Sequence, residues 1–301
     1  MAKSPALAAA SVTLQGKSSS LSANLRELIN NTQFSDVSFV VGKERQMIHA
    51  HRCVLACRCK VFHSMFTHQL QGVQSPQELQ IPFVLADMNP EVFLAVLEFI
   101  YTNSVTLTNQ IALEVLTSAV EYGLDNLRKL CVDYIGQSLT VEMACEALQA
   151  AVTYGQTDLR QRCLTFIERH TPEIVKTQSF RELSDLGIVS ILQSDRLSLD
   201  EGPLIQAVRE WARVNSVVLD VPVSEVAQDA VRELRLFLLS PEELTALERE
   251  NTKDELIPEI QIAQSWKFHA LKKAIDSPHL FRRRKGTLPR DHHRYLDPPP
   301  K

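Results

Sequence analysis

Glycine is scarce in this chain: nine residues in 301. No G-x-G-x-x-G and no G-x-x-x-x-G-K-[ST] occurs in it. Loops of that kind need glycine so that the backbone can approach phosphate, so dinucleotide and nucleoside-triphosphate chemistry is not expected. β-Propeller blades, which also use glycine periodically, are not indicated either. H-E-x-x-H and G-x-S-x-G are missing too, which removes the common zinc-protease and serine-hydrolase readings. No apolar run reaches membrane-spanning length, so no membrane segment is expected. The formal net charge of −4 gives no overall basic excess for nucleic acid. An enzyme is not expected, and no cofactor is.

What is present is ordinary globular composition, 45% hydrophobic and 23% charged, over a length that suits one large or two ordinary domains. Residues 1–19 begin with an Ala-rich stretch and are read as a disordered leader; the stretch is a poor signal peptide. The six cysteines sit among apolar residues, as reduced thiols do, and three of them crowd into positions 53–59.

Leu21, Leu25, Leu28 and Ile29 fall on one stripe of an amphipathic helix. The period then changes. Val37, Phe39 and Val41 alternate as in a strand, Gly42-Lys43-Glu44 makes a turn, and residues 46–49 return, which predicts a hairpin. Residues 79–84, Leu-Gln-Ile-Pro-Phe-Val, predict a short strand whose proline confines it to an edge or a strand end. Asn89-Pro90-Glu91 opens a helix, with Asn89 as N-cap and proline in the first turn. Beyond Tyr101 the periods are almost all helical.

Residues 49–66, HAHRCVLACRCKVFHSMF, hold three histidines and three cysteines. A zinc site wants four converging ligands. From Arg52 onward, however, Leu55, Cys59, Phe62 and Phe66 recur at helical spacing, with Val54, Val61 and Met65 widening the stripe. Cys59 then belongs to a buried helix face, Cys53 and Cys57 share another face, and His49 belongs to the preceding strand. The cluster is read as a packed helix with no metal. A reactive thiol is the lesser alternative, since Arg52, Arg58 and Lys60 could lower a neighbouring thiol pKa.

Three motifs in order, D-V-S-F-V-V-G, then A-H-R-C-V-L-A-C-R-C-K-V-F-H-S-M-F, then N-P-E-V-F-L-A-V-L-E-F-I-Y-T, resemble the BTB/POZ domain over residues 20–135. The resemblance implies a small sheet capped by helices. It implies a homodimer in which Leu21, Leu25, Leu28 and Ile29 exchange onto a partner subunit. It implies a pocket in which Asp36 and Arg52 approach each other beside His51. A semi-buried aspartate tolerates its charge only when paired. Transcription-factor relatives meet corepressors at that pocket; here a structural role is favoured. Cullin-binding members carry an apolar-x-Glu motif a few residues past the central Met-Phe. Counting from Met65-Phe66 places it at Leu70-Gln71-Gly72, with glycine where the glutamate belongs, so Phe66, Leu70, Gln71 and Gly72 are the candidate cullin-3 contact.

Past that region the chain repeats itself. Ala-Val-Glu-Tyr-Gly at 119–123 returns as Ala-Val-Thr-Tyr-Gly at 151–155, and Leu127, Cys131 and Ile135 return as Leu159, Cys163 and Ile167. That is the period of a helix pair burying its face against the next. Residues 136–275 resemble an all-α BACK domain of stacked helix pairs, so the whole chain is expected to be α+β and mostly α. Ser240-Pro241-Glu242-Glu243 reads as a capping box that opens a further helix. Residues 276–301 form a basic, proline-containing tail with Arg282-Arg283-Arg284-Lys285 at its head. That cluster is read as a solvated helix end, with nuclear import or an anionic partner as alternatives. The tail is too short for kelch repeats and lacks zinc-finger spacing. Two functions stay open: a dimeric adaptor linking a target to a cullin-3 ubiquitin ligase, or a non-degradative scaffold or transcriptional cofactor that only oligomerises. The target protein is unknown, direct nucleic-acid binding is not expected, and the location is cytoplasmic, nuclear or both.

Overall fold

The computed structural model describes residues 18–72, 80–272 and 279–296. The chain divides into two compact units, Met1–Arg128 and Lys129–Lys301. The first holds the three described strands, β1 (Val37–Val41), β2 (Gln46–Ala50) and β3 (Phe83–Leu85), in the order β2-β1-β3. β1 and β2 form the expected hairpin, with Phe39 opposite Ile48 and Val37 opposite Ala50. β3 runs parallel to β1 at the sheet edge. It starts only after Pro82, which has no N–H to give a ladder; Leu79, the expected beginning of this strand, lies outside the described residues.

Helices cover the sheet: α1 (Ser18–Arg26), α2 (Arg52–Arg58), α3 (Lys60–Gly72), α4 (Pro90–Thr102), α5 (Ala112–Glu121) and the start of α6 (Asp125–Gln137). α1 begins at Ser18, inside the expected leader, whose residues 1–17 are not described. α4 opens as its sequence requires: the Asn89 side chain accepts the Glu91 N–H at 2.9 Å, with Pro90 in the first turn. Phe39, Phe62, Phe93 and Ile48 are fully buried between sheet and helices, and the Phe39 ring lies 4.9 Å from that of Phe93.

The single helix expected from Arg52 is two. Cys59 breaks it with extended backbone, φ −136° and ψ 120°. The stripe is still buried at Leu55, Cys59, Phe62 and Phe66, while Val61 is exposed. The break turns the Cys59 thiol inward, where Sγ donates to the Tyr122 carbonyl at 3.3 Å.

The second unit holds the rest of α6 and the helices α7 (Ala144–Thr153), α8 (Thr157–Arg169), α9 (Thr171–Ile174), α10 (Gln178–Arg181), α11 (Asp185–Leu192), α12 (Glu201–Leu219), α13 (Val223–Val226), α14 (Pro241–Asp254) and α15 (Glu259–Leu271). The sequence repeat is a structural one. Gly123 and Gly155 both take left-handed backbone, φ +65° and +63°. Leu124 N–H returns to the Ala119 carbonyl at 2.8 Å, and Gln156 N–H returns to that of Ala151 at the same distance. Leu127, Cys131, Ile135, Leu159, Cys163 and Ile167 are all buried. Ser240 and Glu243 complete the capping box of α14.

Candidate functional site

Three surfaces of the first unit carry the expected site residues. α1 ends at Arg26, sooner than its apolar stripe predicts. Leu28 and Ile29 sit in the turn that follows, their N–H groups bonded to the carbonyls of Leu25 and Arg26 at 3.1 Å each. The Arg26 guanidinium ties this end to Glu98 of α4, and also donates to Ser104 Oγ at 3.1 Å. Leu21 remains 62% exposed. A groove of about 470 Å³ lies between α1, α2 and α4, lined by Leu21, Leu25, Val54, Cys57, Ile100 and Tyr101. Cys53 borders it as well, and both Cys53 and Cys57 are exposed. The histidines and cysteines of residues 49–66 are therefore spread over several faces. Among the described residues no group of three or more His, Cys, Asp or Glu side chains is placed to hold a metal.

The second surface surrounds Asp36, His51 and Arg52. Asp36 is exposed, not semi-buried as expected. Its carboxylate accepts the main-chain N–H of Arg52 at 2.7 Å, while the Arg52 Nε donates to the Asp36 main-chain carbonyl at 3.1 Å. The carboxylate thereby caps the first residue of α2, where free N–H groups and the helix dipole favour negative charge. The Arg52 guanidinium also donates to Gln69 Oε1 at 2.7 Å and lies 4.9 Å from the centre of the Phe66 ring. Burial lowers the Arg52 pKa, and the Asp36 charge offsets part of that. His51 is buried; its N–H donates to the Tyr101 hydroxyl at 2.9 Å, and the same hydroxyl lies 3.0 Å from Nδ1. Burial raises the Tyr101 hydroxyl to about 12. Nothing in the sequence singled out Tyr101; only its distance from His51 in space does.

The third surface is the end of α3. Phe66 is 4% exposed, its ring 5.7 Å from that of Phe83. It supports the end of the helix from beneath. Leu70 is 60% exposed, and Gln71 and Gly72 are exposed beside it. Gly72 is helical, and among the described residues no atom beyond its chain neighbours and its own helix backbone lies within 4 Å of where a Cβ would sit.

In the second unit the basic cluster does not end a helix, and it is solvated only in part: Arg282, Arg283 and Lys285 are exposed, while Arg284 is buried. Arg284 is buried against Glu201 at 2.9 Å, with neither side chain reached by solvent. Arg283 donates to the His293 carbonyl at 3.0 Å, and Arg282 lies 3.7 Å from Asp195. Arg290 pairs with Asp200 at 2.6 Å and with Glu243 at 2.7 Å. Phe281 stacks on Phe237, ring centres 4.4 Å apart, beside Phe268. The expectation missed Arg284 because an Arg-rich run looks solvated throughout unless its acceptors are known, and Glu201 lies 83 positions earlier.

Similarity to known proteins agrees with this architecture. The BTB/POZ domain family matches residues 25–139, and the family described as BTB And C-terminal Kelch, BACK, matches residues 144–249. The chain is 53% identical to human BTB/POZ domain-containing protein 19 over 95% of its own length and 97% of that protein's. It is 52% identical to the Bos taurus protein of that name, over 96% and 98% of the two chains. Human BTB/POZ domain-containing protein 9 is 28% identical over 74% of this chain and 35% of its own. With one domain matched after the other and such a relative aligned over nearly its full length, the chain belongs to the BTB/POZ family of proteins that carry a BACK domain.

Proposed function

We propose that this chain is a dimeric, non-catalytic adaptor that joins a target protein to cullin-3. The observation that carries this reading is the apolar groove between α1, α2 and α4, beside which Leu21 stays 62% exposed. Apolar surface left in water is unfavourable by about 25 cal/mol per Å², so a second copy covering the groove is favoured. The ligase contact is the exposed end of α3 at Leu70, Gln71 and Gly72, with Phe66 packed beneath it. The protein acts in the cytoplasm, the nucleus or both. Among the described residues no helix is long and apolar enough to cross a membrane.

Gly72 favours a second reading. A glutamate there would accept hydrogen bonds worth roughly 1.5–3 kcal/mol, and glycine adds backbone freedom that binding must remove. Cullin-3 affinity should then be about ten- to hundredfold below that of glutamate-bearing relatives. At that level the chain works as a non-degradative scaffold or transcriptional cofactor. Calorimetry of the full chain with the cullin-3 N-terminal region, wild type beside Gly72→Glu, separates the two. Among the described residues no neighbouring atom obstructs a Cβ at Gly72. Tight binding by wild type supports the adaptor; a gain only in the variant supports the scaffold, and no binding by either removes cullin-3 from the account.

A further inference from the structure

Residues 279–296 contain one short 3-10 turn, Asp291–Tyr295, and otherwise no regular element. The rest of the second unit holds them in place, and it does so as a receptor holds a peptide. Arg284 donates from Nε to Glu201, from Nη1 to the carbonyls of Leu192 (2.5 Å) and Ser194 (2.7 Å), and from Nη2 to that of Glu233 (2.9 Å). Lys285 and Gly286 each donate a main-chain N–H, to the carbonyls of Asp195 and Leu197, at 2.9 Å. A Cβ on Gly286 would fall 2.2 Å from the Leu199 nitrogen, so only glycine fits there. Arg290 closes the far end on Asp200 and Glu243.

We propose that the second unit is a receptor for basic protein segments, that residues 281–293 are its resident ligand, and that a target displaces them with the same pattern. That pattern is an aromatic residue, an arginine three positions on, a glycine two further, and a second arginine four beyond it. The socket around Glu201 presents one carboxylate and three carbonyls, all acceptors. Arginine's planar fork of five donors satisfies them together; lysine offers three donors from a single point. With Arg284 in place Glu201 has no exposed side-chain surface, so withdrawing the guanidinium without a replacement takes from the carboxylate its ion-pair partner. One ligand must therefore replace another. The proposal rests on the adaptor reading only in naming the target's chemistry; cullin-3 and dimerisation do not enter its test.

The test uses the full chain with a specific protease site inserted between residues 273 and 278, then cut. A fluorescent peptide of residues 279–296 should exchange into the cut protein, read by anisotropy. The same peptide with Arg284→Ala should bind about a hundredfold more weakly, because several charge-assisted hydrogen bonds are lost. The peptide with Gly286→Val should not bind measurably. The uncut chain should take up little peptide, since its own segment is tethered at high effective concentration. No exchange over days, equal binding by the Arg284→Ala peptide, or loss of cooperative melting on cutting each overturns the proposal. A second measurement needs no cleavage. In the intact chain the N–H groups of Lys285 and Gly286 should exchange with solvent faster than those in the middle of α12, by local opening. Exchange only through global unfolding would make the segment a permanent strap and overturn the proposal as well.

Discussion

Arg284 and Glu201 stand 83 residues apart in the chain and meet at 2.9 Å, with solvent reaching neither side chain. The other Glu201 oxygen accepts the Arg235 main-chain N–H at 2.6 Å. Removing one member of such a pair strands the other charge, which typically destabilises by 3–5 kcal/mol. Arg284→Leu and Glu201→Gln should each lower the melting temperature of the full chain by about 10 °C, at roughly 2–4 °C per kcal/mol. The double variant Arg284→Leu/Glu201→Gln should lose clearly less than the sum of these two single changes, because no unpaired charge remains. Full additivity by calorimetry would mean that the two residues act independently.

Acid should act first on three histidines. The carbonyls of Phe237, Leu238 and Leu239 lie 3.1, 2.9 and 3.1 Å from Nε2 of His292, His293 and His269. A carbonyl only accepts, so each Nε2 carries the hydrogen. The His292 ring lies 4.6 Å from each of the other two. Burial lowers all three pKa values, that of His292 to about 4. An unfolded histidine titrates near 6.5, so between about pH 6.5 and 4 the unfolded chain binds more protons. The histidine contribution is thus complete above about pH 6.5 and is lost as pH falls through that window. The Arg290 clamp behaves differently. Burial works to raise Asp200 and Glu243, but the hydrogen bonds and charge of Arg290 together with main-chain N–H bonds outweigh it, and both are lowered. The clamp therefore persists to lower pH than an ordinary carboxylate would allow. Melting at pH 5 against pH 7 should show a loss of about 1–2 kcal/mol once solvent screening is allowed for, and His292→Gln should flatten that slope. An unchanged slope would assign the loss to other groups.

How much of this was legible depends on range. The caps of α4 and α14 and the repeat around Gly123 and Gly155 were readable because each is made within a few residues of itself. The break at Cys59 was not: its thiol bonds to a carbonyl 63 residues away, and helical spacing alone runs straight through it. The same holds for the early end of α1, set in part by the pairing of Arg26 with Glu98. Asp36 and Arg52 were brought together by family resemblance. That their bonds run through the main chain on both sides is visible only in space. The end of α3 was placed by counting within a motif; its exposure and open surroundings come from the structure alone.

The six thiols should react in two classes. Cys53 and Cys57 are exposed, and the other four are buried. Burial pushes Cys131, Cys145 and Cys163 up to about 12, so they hold almost no thiolate at neutral pH. Cys59 is held by the Tyr122 carbonyl. Native alkylation at pH 7.5, read by peptide mass spectrometry, should modify Cys53 and Cys57 at least tenfold faster than the rest. Modification of Cys131 or Cys163 at a comparable rate would mean that the repeated helix pairs open readily.

Those two exposed thiols also report on the groove beside them. If a second copy covers the groove between α1, α2 and α4, Cys53 and Cys57 should become protected as protein concentration rises through the dimer dissociation constant. Substituting Leu21→Asp and Leu25→Asp together places two charges on the apolar side of α1 that borders the groove. Burying one leucine contributes roughly 1.5–3 kcal/mol, so losing two should weaken self-association by at least a hundredfold. Light scattering at micromolar concentration should give a dimer for wild type and a monomer for the variant. Leu21 is mostly exposed and Leu25 half-buried in the single chain, so the variant monomer should keep nearly the wild-type fold. A wild-type monomer at that concentration would remove the dimer from the account, and a variant that remains dimeric would move the self-association face away from Leu21 and Leu25 of α1.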